Sequence, residues 1–335
     1  MGITAKEIAK KLGLSATAVS MALRNKPGVS TDTKRLIIET AEKYGYDFSR
    51  FAYRNVNDKS IYVISYRTHN AILSYSPIFD ELLEGIDHTC RKQNYKLKVM
   101  PFYEKKQDVN RFLEDLRISD CGGIILFGTE SSLDIIKKFT GLPFPIVMLD
   151  TYFESISSNY VLINNSQGAY LAADYLISTY MDQPGYLASS YGLQNFHERF
   201  RGFSHALKDN GMSAARSSIL KLAPTIEGAM ADMQELLEQN VPLSRCYFAD
   251  NDLIAIGAIK ALKKNGFRIP EDVAVVGFDD ISEGRVIEPA LTTINIPRHF
   301  MGKMAANRLI NLMNNINPES YKVEVATSLI RRGSA

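Results

Sequence analysis

The chain has 335 residues, too many for one ordinary domain, and its 45% hydrophobic content is enough for real cores. Its net charge is only +2, yet residues 1–60 carry eleven Lys and Arg against six Asp and Glu, a net of +5, which leaves about −3 for the rest. A basic head on a mildly acidic body suits contact with phosphates at one end and not at the other. The three cysteines, Cys90, Cys121 and Cys246, are odd in number and widely spaced, which argues against a disulfide framework and for a reducing compartment. The opening MGITAKEIAKK lacks the apolar core of a signal peptide, and no run approaches the length of a membrane span. A cytoplasmic protein with no membrane partner is expected.

In chain order, Thr4 and Glu7 have the reciprocal spacing of a capping box, and Ile8, Ala9 and Leu12 form an apolar stripe that Gly13 ends. Ser15 can cap a second helix with Ala18, Val19 and Ala22 inward, where the small Ala9 allows a close crossing. Asn25 and Pro27 end that helix, and Ser30 caps a third running to about Tyr44. Three short helices with this turn place the second in a DNA major groove. Residues 47–60 show no strong apolar period and read as a linker.

From Ile61 onward, short apolar runs alternate with amphipathic segments. Strands are expected at 61–65, 95–100, 122–127 and 145–150, then again at 160–164, 186–190, 246–250 and 272–280. Helices are expected between them, near 77–93, 108–118, 132–140, 166–178, 198–210, 228–239 and 252–265, the first started by the Ser76–Pro77 pair. Such alternation predicts parallel sheets covered on both faces, and two sets of it predict two lobes with a ligand crevice at the strand ends. Asp150, Asp250 and Asp279 fall at or just past those ends, where an Asp either caps the next helix or meets a ligand.

Several motifs in order carry a near full-length resemblance, from Ile3 to about Ser334: KPGVSTDTKRLIIETAEKYGY in the head, FADNDLIAIGAIKAL at 248–262, IPEDVAVVGFDD at 269–280, PALTTINIP at 289–297 and LIRRGS near the end. The chain resembles the lactose-repressor/galactose-repressor (LacI/GalR) family of transcription regulators. That implies an α/β protein with an all-α helix-turn-helix head at 1–46, a hinge at 47–60 and a periplasmic-binding-protein-like body at 61–335 of two Rossmann-like lobes. Chain crossings near 162, 291 and 322 divide that body, with lobe 1 at about 61–161 and 292–321 and lobe 2 at about 162–291 and 322–335. It also implies a homodimer on a pseudo-palindromic double-stranded DNA operator, with a small-molecule effector in the cleft.

Carried over by position, the resemblance puts Ala16, Thr17 and Met21 at the base edges. Thr17 can hydrogen-bond there, while Ala16 and Met21 offer apolar contact. Thr4, Ser15, Ser20, Ser30, Thr33 and Arg24 are candidates for the DNA contact surface, chiefly its phosphates. In the hinge, where relatives wedge a Leu into the minor groove, this chain has Asn55, a poor wedge, and Arg50 replaces a usual Ala. Either Val56 or Phe51 wedges in a shifted register, or the operator is kinked less.

For the effector cleft, the resemblance points to Arg199 in RFRG, Asp279 after Gly277 and Phe278, Asn251 in NDLIA, and Asp150 of the first lobe. Tyr75, Ile78 and Phe79 are expected on one wall, Asn195 and Phe196 on the other. Arg and Asp from opposite walls suit a polyhydroxyl ligand, so a carbohydrate is the expected effector. The stacking Trp of some members is missing, with Ala223 near its place, and Tyr152, Tyr191 or Phe196 is left to stack. The alternative is the same DNA-binding role controlled by a partner protein docking on the first lobe, or without a small-molecule effector. No Gly-rich phosphate loop, nucleophile elbow or metal-spaced His/Cys cluster occurs, and Asp279 and Asp280 as strand neighbours should face opposite ways. We therefore expect no enzyme, no metal and no cofactor.

Overall fold

The computed structural model describes residues 3–23, 28–47, 60–68 and 77–335. The head is three helices, α1 (Ala5–Leu12), α2 (Ala16–Leu23) and α3 (Thr31–Lys43). The Thr4–Glu7 box closes in both directions, and Gly13 takes the left-handed φ of +66° that ends α1. Ile8, Ala9, Val19, Ala22, Leu23, Ile37 and Ala41 form the core. Leu23, not Ala18, completes the inward face of α2, since Ala18 is only half-buried.

Past the linker, the chain runs β1 (Ser60–Arg67), α4 (Pro77–Lys92), β2 (Lys96–Tyr103), α5 (Val109–Arg117), β3 (Cys121–Phe127), α6 (Leu133–Thr140), β4 (Ile146–Leu149) and β5 (Asn159–Ile163). It then continues α7 (Asn165–Tyr180), β6 (Gly185–Ser189), α8 (Gln194–Asp209), β7 (Ile219–Leu222), α9 (Ile226–Glu238), β8 (Cys246–Ala249), α10 (Asp252–Lys264), β9 (Ala274–Val276) and α11 (Ser282–Val286). The return is made by β10 (Thr293–Asn295), α12 (Arg298–Met313), β11 (Lys322–Val325) and β12 (Ser328–Ile330).

The first sheet has the order β11-β5-β4-β3-β1-β2 and the second β7-β6-β8-β9, with all neighbours parallel. β3 is buried along its whole length, as a central strand covered on both faces must be. One core runs from Ile61 and Ile125 through the α7 alanines to Phe248 and Val276, so apolar packing is continuous across both sheets.

Two expectations are corrected. We expected residues 322–335 in the second lobe, but β11 pairs with β5 in register Lys322↔Tyr160 to Val325↔Ile163 and closes the edge of the first sheet. The third crossing therefore follows Val325, and β10 and β12 pair antiparallel beside it. The expected strand 272–280 is only 274–276 long, and past it Asp279 keeps a single parallel bridge to Asn295 before the positive φ of Asp279 and Asp280, +116° and +51°, turns the chain away.

Glycines set how closely the covering helices pack. A Cβ on Gly85 of α4 would lie 2.1 Å from the His299 carbonyl oxygen, and one on Gly302 of α12 would lie 2.1 Å from that of Leu82. These two helices touch backbone to backbone and pack as one rigid pair.

Candidate functional site

On the head, the hydroxyls of Thr4, Ser15 and Ser30 are spent on the chain itself. Thr4 and Ser15 accept from the Glu7 and Ala18 amides at 3.4 and 3.0 Å, and Ser30 accepts from that of Thr33 at 3.2 Å. The Ser30 and Thr33 hydroxyls also meet, at 2.7 Å. These caps leave other first-turn amides pointing outward, the arrangement that binds anions. On α2, Ala16 and Thr17 are exposed, whereas Ser20 and Met21 are half-buried. A Cβ on Gly28, at φ +109°, would lie 2.7 Å from the Met21 terminal methyl, so Met21 lies over the chain that follows α2. Arg24, Arg50, Asn55, Val56 and Phe51 lie outside the described residues.

The second assembly is at the strand ends between the lobes. Arg199 on α8 is buried, and each side of its guanidinium has a partner. Nε donates to Asn165 Oδ1 at 3.0 Å, Nη1 to the Asp250 carbonyl, and Nη2 to Asp279 Oδ1 at 3.3 Å. The Phe278 ring lies 3.7 Å from the guanidinium carbon and Phe196 covers it at 5.5 Å, a flat clamp suited to the planar group. Across from it, Asp150 ends β4 with φ +58° and accepts from Thr129 Oγ1 at 2.6 Å. Its other oxygen accepts from Asn195 Nδ2 at 3.0 Å, which ties the first lobe to the start of α8 in the second. Asp150, Asn195, Phe196, Arg199 and Asp279 thus come together.

Asn251 does not present its carbonyl oxygen to the cleft. That atom accepts from the Ile254 amide at 2.9 Å and caps α10. Phe79 packs its ring 5.6 Å from that of Phe127. Tyr75 and the side chain of Ile78 lie outside the described residues. Of the aromatic residues left to stack, Tyr152 is edge-on to Tyr160 at 5.0 Å with the Lys322 ammonium 4.3 Å above its ring, Tyr191 is exposed, and Phe196 is buried on Arg199.

Three roles escaped the sequence. Asp250 orients β8 against β6, accepting from the Tyr186 hydroxyl at 2.5 Å and the Ser189 amide at 2.6 Å, while its carbonyl takes Arg199. Asn165 binds Arg199 on one side and Glu198 Oε2 on the other, at 3.0 Å. Through Glu198 it adjoins a polar cavity of about 480 Å³ that also meets Tyr152, Lys322 and Glu324. Arg298, buried to 2% exposure, donates to the Asp279 carbonyl. An Asp at a strand end is legible in sequence, but which of its atoms faces a partner is not. Asp280 turns away from Asp279 and binds Arg332, Arg285 and Asn295, but through the positive φ of both residues and not as a strand neighbour, since β9 ends at Val276.

Burial dominates the electrostatics. It pushes the carboxyls of Asp150 and Asp250 up to about 6, against the hydrogen bonds and the Arg199 charge that pull them down. Asp279 is raised for the same reason. Between the ordinary carboxyl range and about pH 6, the folded protein therefore holds more protons than the unfolded chain, and stability falls as pH rises through that window. Asp280, held low by Arg332 despite its burial, works the other way and loses its contribution only below the ordinary range. We expect a higher urea midpoint at pH 5 than at pH 7, and a smaller difference in Asp150→Asn. A midpoint that climbs steadily from pH 5 to 7 would contradict this.

Among the described residues, no group of three or more His, Cys, Asp or Glu is placed to hold a metal ion, and no helix is long and apolar enough to cross a membrane. The three cysteines are buried thiols.

Comparisons with known proteins agree with this geometry. Residues 173–335 match the model of a periplasmic binding protein-like domain. The HTH-type transcriptional repressor PurR of Pasteurella multocida is 27% identical over 336 residues, covering 99% of this chain and 98% of that protein. A LacI family transcriptional regulator from Enterococcus faecium with bound ribose superposes with a TM-score of 0.69 at 25% identity, covering 82% of this chain and 98% of that one. The complex of the transcriptional regulator CelR with cellobiose matches over 99% of this chain and 100% of its own, with a TM-score of 0.73 at 23% identity. A capped helix-turn-helix head, two parallel-stranded lobes and a buried Arg–Asp pair at their junction stand beside a near full-length similarity to transcriptional regulators, the repressor PurR among the sequences and a LacI family regulator among the structures.

Proposed function

We propose that this chain is a transcriptional repressor that binds a specific operator through its head and is switched by a small carbohydrate between its lobes. The observation that carries the reading is the pairing of two features in one chain. One is a helix-turn-helix with an exposed Thr17 on its second helix. The other is a cleft in which Asp150–Asn195 and Arg199–Asp279 draw donors and acceptors from both lobes to one place. Planar groups of both signs can each hold two neighbouring hydroxyls, and the cellobiose and ribose in the two structural neighbours support a sugar here. The protein acts as a homodimer in the cytoplasm, each head reading one half of a pseudo-palindromic site. The ligand shifts operator affinity only as far as it binds one lobe arrangement better than the other. No cofactor or metal enters.

Selection of duplexes from a random library by the full-length protein tests the DNA half of the reading. An enriched inverted repeat is expected, and absence of any enriched sequence would overturn it. On the selected site, Thr17→Ala should weaken specific binding by about 1 kcal/mol per half-site while leaving non-specific binding unchanged, since one hydroxyl contact is lost and no phosphate contact. Fluorescence anisotropy on specific and scrambled duplexes reads both. The sugar half is tested by a thermal-melt panel of ribose, cellobiose, other mono- and disaccharides and sugar phosphates.

A further inference from the structure

Asp279 faces two ways. Its carboxylate meets Arg199 Nη2 at 3.3 Å, and its carbonyl accepts from Arg298 Nη2. Arg298 is the first residue of α12, and its Nη1 reaches Glu81 Oε2 on α4 at 3.4 Å. This guanidinium is 2% exposed and its Nε has no hydrogen-bond partner. A buried charge with an unmet donor is a poor way to gain stability, and an apolar side chain of similar volume would serve folding as well or better. Its position is therefore better explained by what it connects.

It connects a mobile choice to a rigid body. Asp279 has φ +116°, a region a non-glycine residue occupies only under constraint, and its carboxylate and its carbonyl are held by two different guanidiniums. At the other end, α4 and α12 are locked at Gly85 and Gly302, where their backbones touch. A displacement of Arg298 is thus a displacement of the whole helix pair. That pair lies in the first lobe, which begins with β1, the strand that follows the linker from the head.

We propose that Arg298 is the residue that couples the Asp279 carboxylate in the cleft to helix α4 of the first lobe, through Glu81. That this coupling carries an effector signal rests on the reading of the cleft given above, but the coupling itself needs neither sugar nor DNA to be measured. Arg298 is a positioning residue, not a ligand contact.

The test is a double-mutant cycle in the full-length protein between Asp279→Asn and Glu81→Gln, read by urea unfolding. No direct contact joins these two side chains. With Arg298 present, the unfolding constant of the double variant should depart at least about threefold from the product of the single effects. In an Arg298→Met background the departure should shrink to within about twofold. Additivity with Arg298 present, or non-additivity that survives its loss, overturns the proposal. Should Arg298→Met not fold, hydrogen exchange of Asp279→Asn alone decides. Amides of residues 77–92 should change exchange rate by about threefold or more while those of 226–238, whose helix packs in a separate apolar cluster of the second lobe, stay put, and unchanged rates in 77–92 overturn it. A failed operator selection would leave this result standing, and an additive cycle would leave operator binding standing.

Discussion

Gly202→Ala is expected to cost about 2–3 kcal/mol and to damage the cleft in the same stroke. Gly202 lies on α8 where it crosses α7, and a Cβ there would lie 2.0 Å from the Ser166 carbonyl oxygen and 2.8 Å from its carbon. Neither atom belongs to a flexible side chain, so the helices must separate. Alanine gains about 1 kcal/mol of helix propensity over glycine, which offsets only part of the overpacking cost. Because α8 also carries Asn195 and Arg199, the separation pulls Arg199 away from Asn165, its partner on α7. Gly192→Ala is the control, since no atom lies within 4 Å of its added Cβ, and its effect should stay within about 0.5 kcal/mol. Urea unfolding of both variants checks the prediction. An unchanged midpoint in Gly202→Ala would mean that α7 and α8 are not in backbone contact.

What the sequence made legible follows from what each signal measures. Apolar runs such as GGIILF at 122–127 and the caps at Thr4, Ser15 and Ser30 report local backbone preference, and the elements they predicted stand within a few residues of expectation. β11 was misassigned because KVEV, at the edge of a sheet, has no periodicity that says which sheet it joins; pairing with a strand about 160 residues away is not a local property. The cleft was legible in part as Asp residues at strand ends, which must either cap or contact, while Asn195, Arg199 and Asn251 came only with the resemblance. The division of labour among them was not. Asn251 caps α10 while Asn195, with no cap to make, reaches across to Asp150. Arg298 left no signal at all, for an Arg at a helix start reads as exposed until the fold buries it.

Arg199→Ala should lower stability by about 3–5 kcal/mol and abolish any carbohydrate-induced thermal shift. Its removal leaves the Asn165 side-chain oxygen, the Asp250 carbonyl and Asp279 Oδ1 without a donor inside a buried site, and breaking a buried pair on one side costs more than the pair was worth. Asp279, already raised by burial and pulled down chiefly by Arg199, then rises further and takes up a proton nearer neutral pH. The loss should therefore be larger at pH 8 than at pH 6. Arg199→Lys separates folding from recognition. A lysine keeps a positive charge beside Asp279 and recovers part of the stability, yet it has no planar fork to serve Asn165, Asp250 and Asp279 at once, nor a flat face to lie on Phe278. In the panel of ribose, cellobiose and related sugars, whichever compound shifts the wild-type melt should leave both variants unmoved. If Arg199→Lys regains stability and also responds to that sugar, charge alone holds the ligand and the guanidinium geometry is not the recognition element.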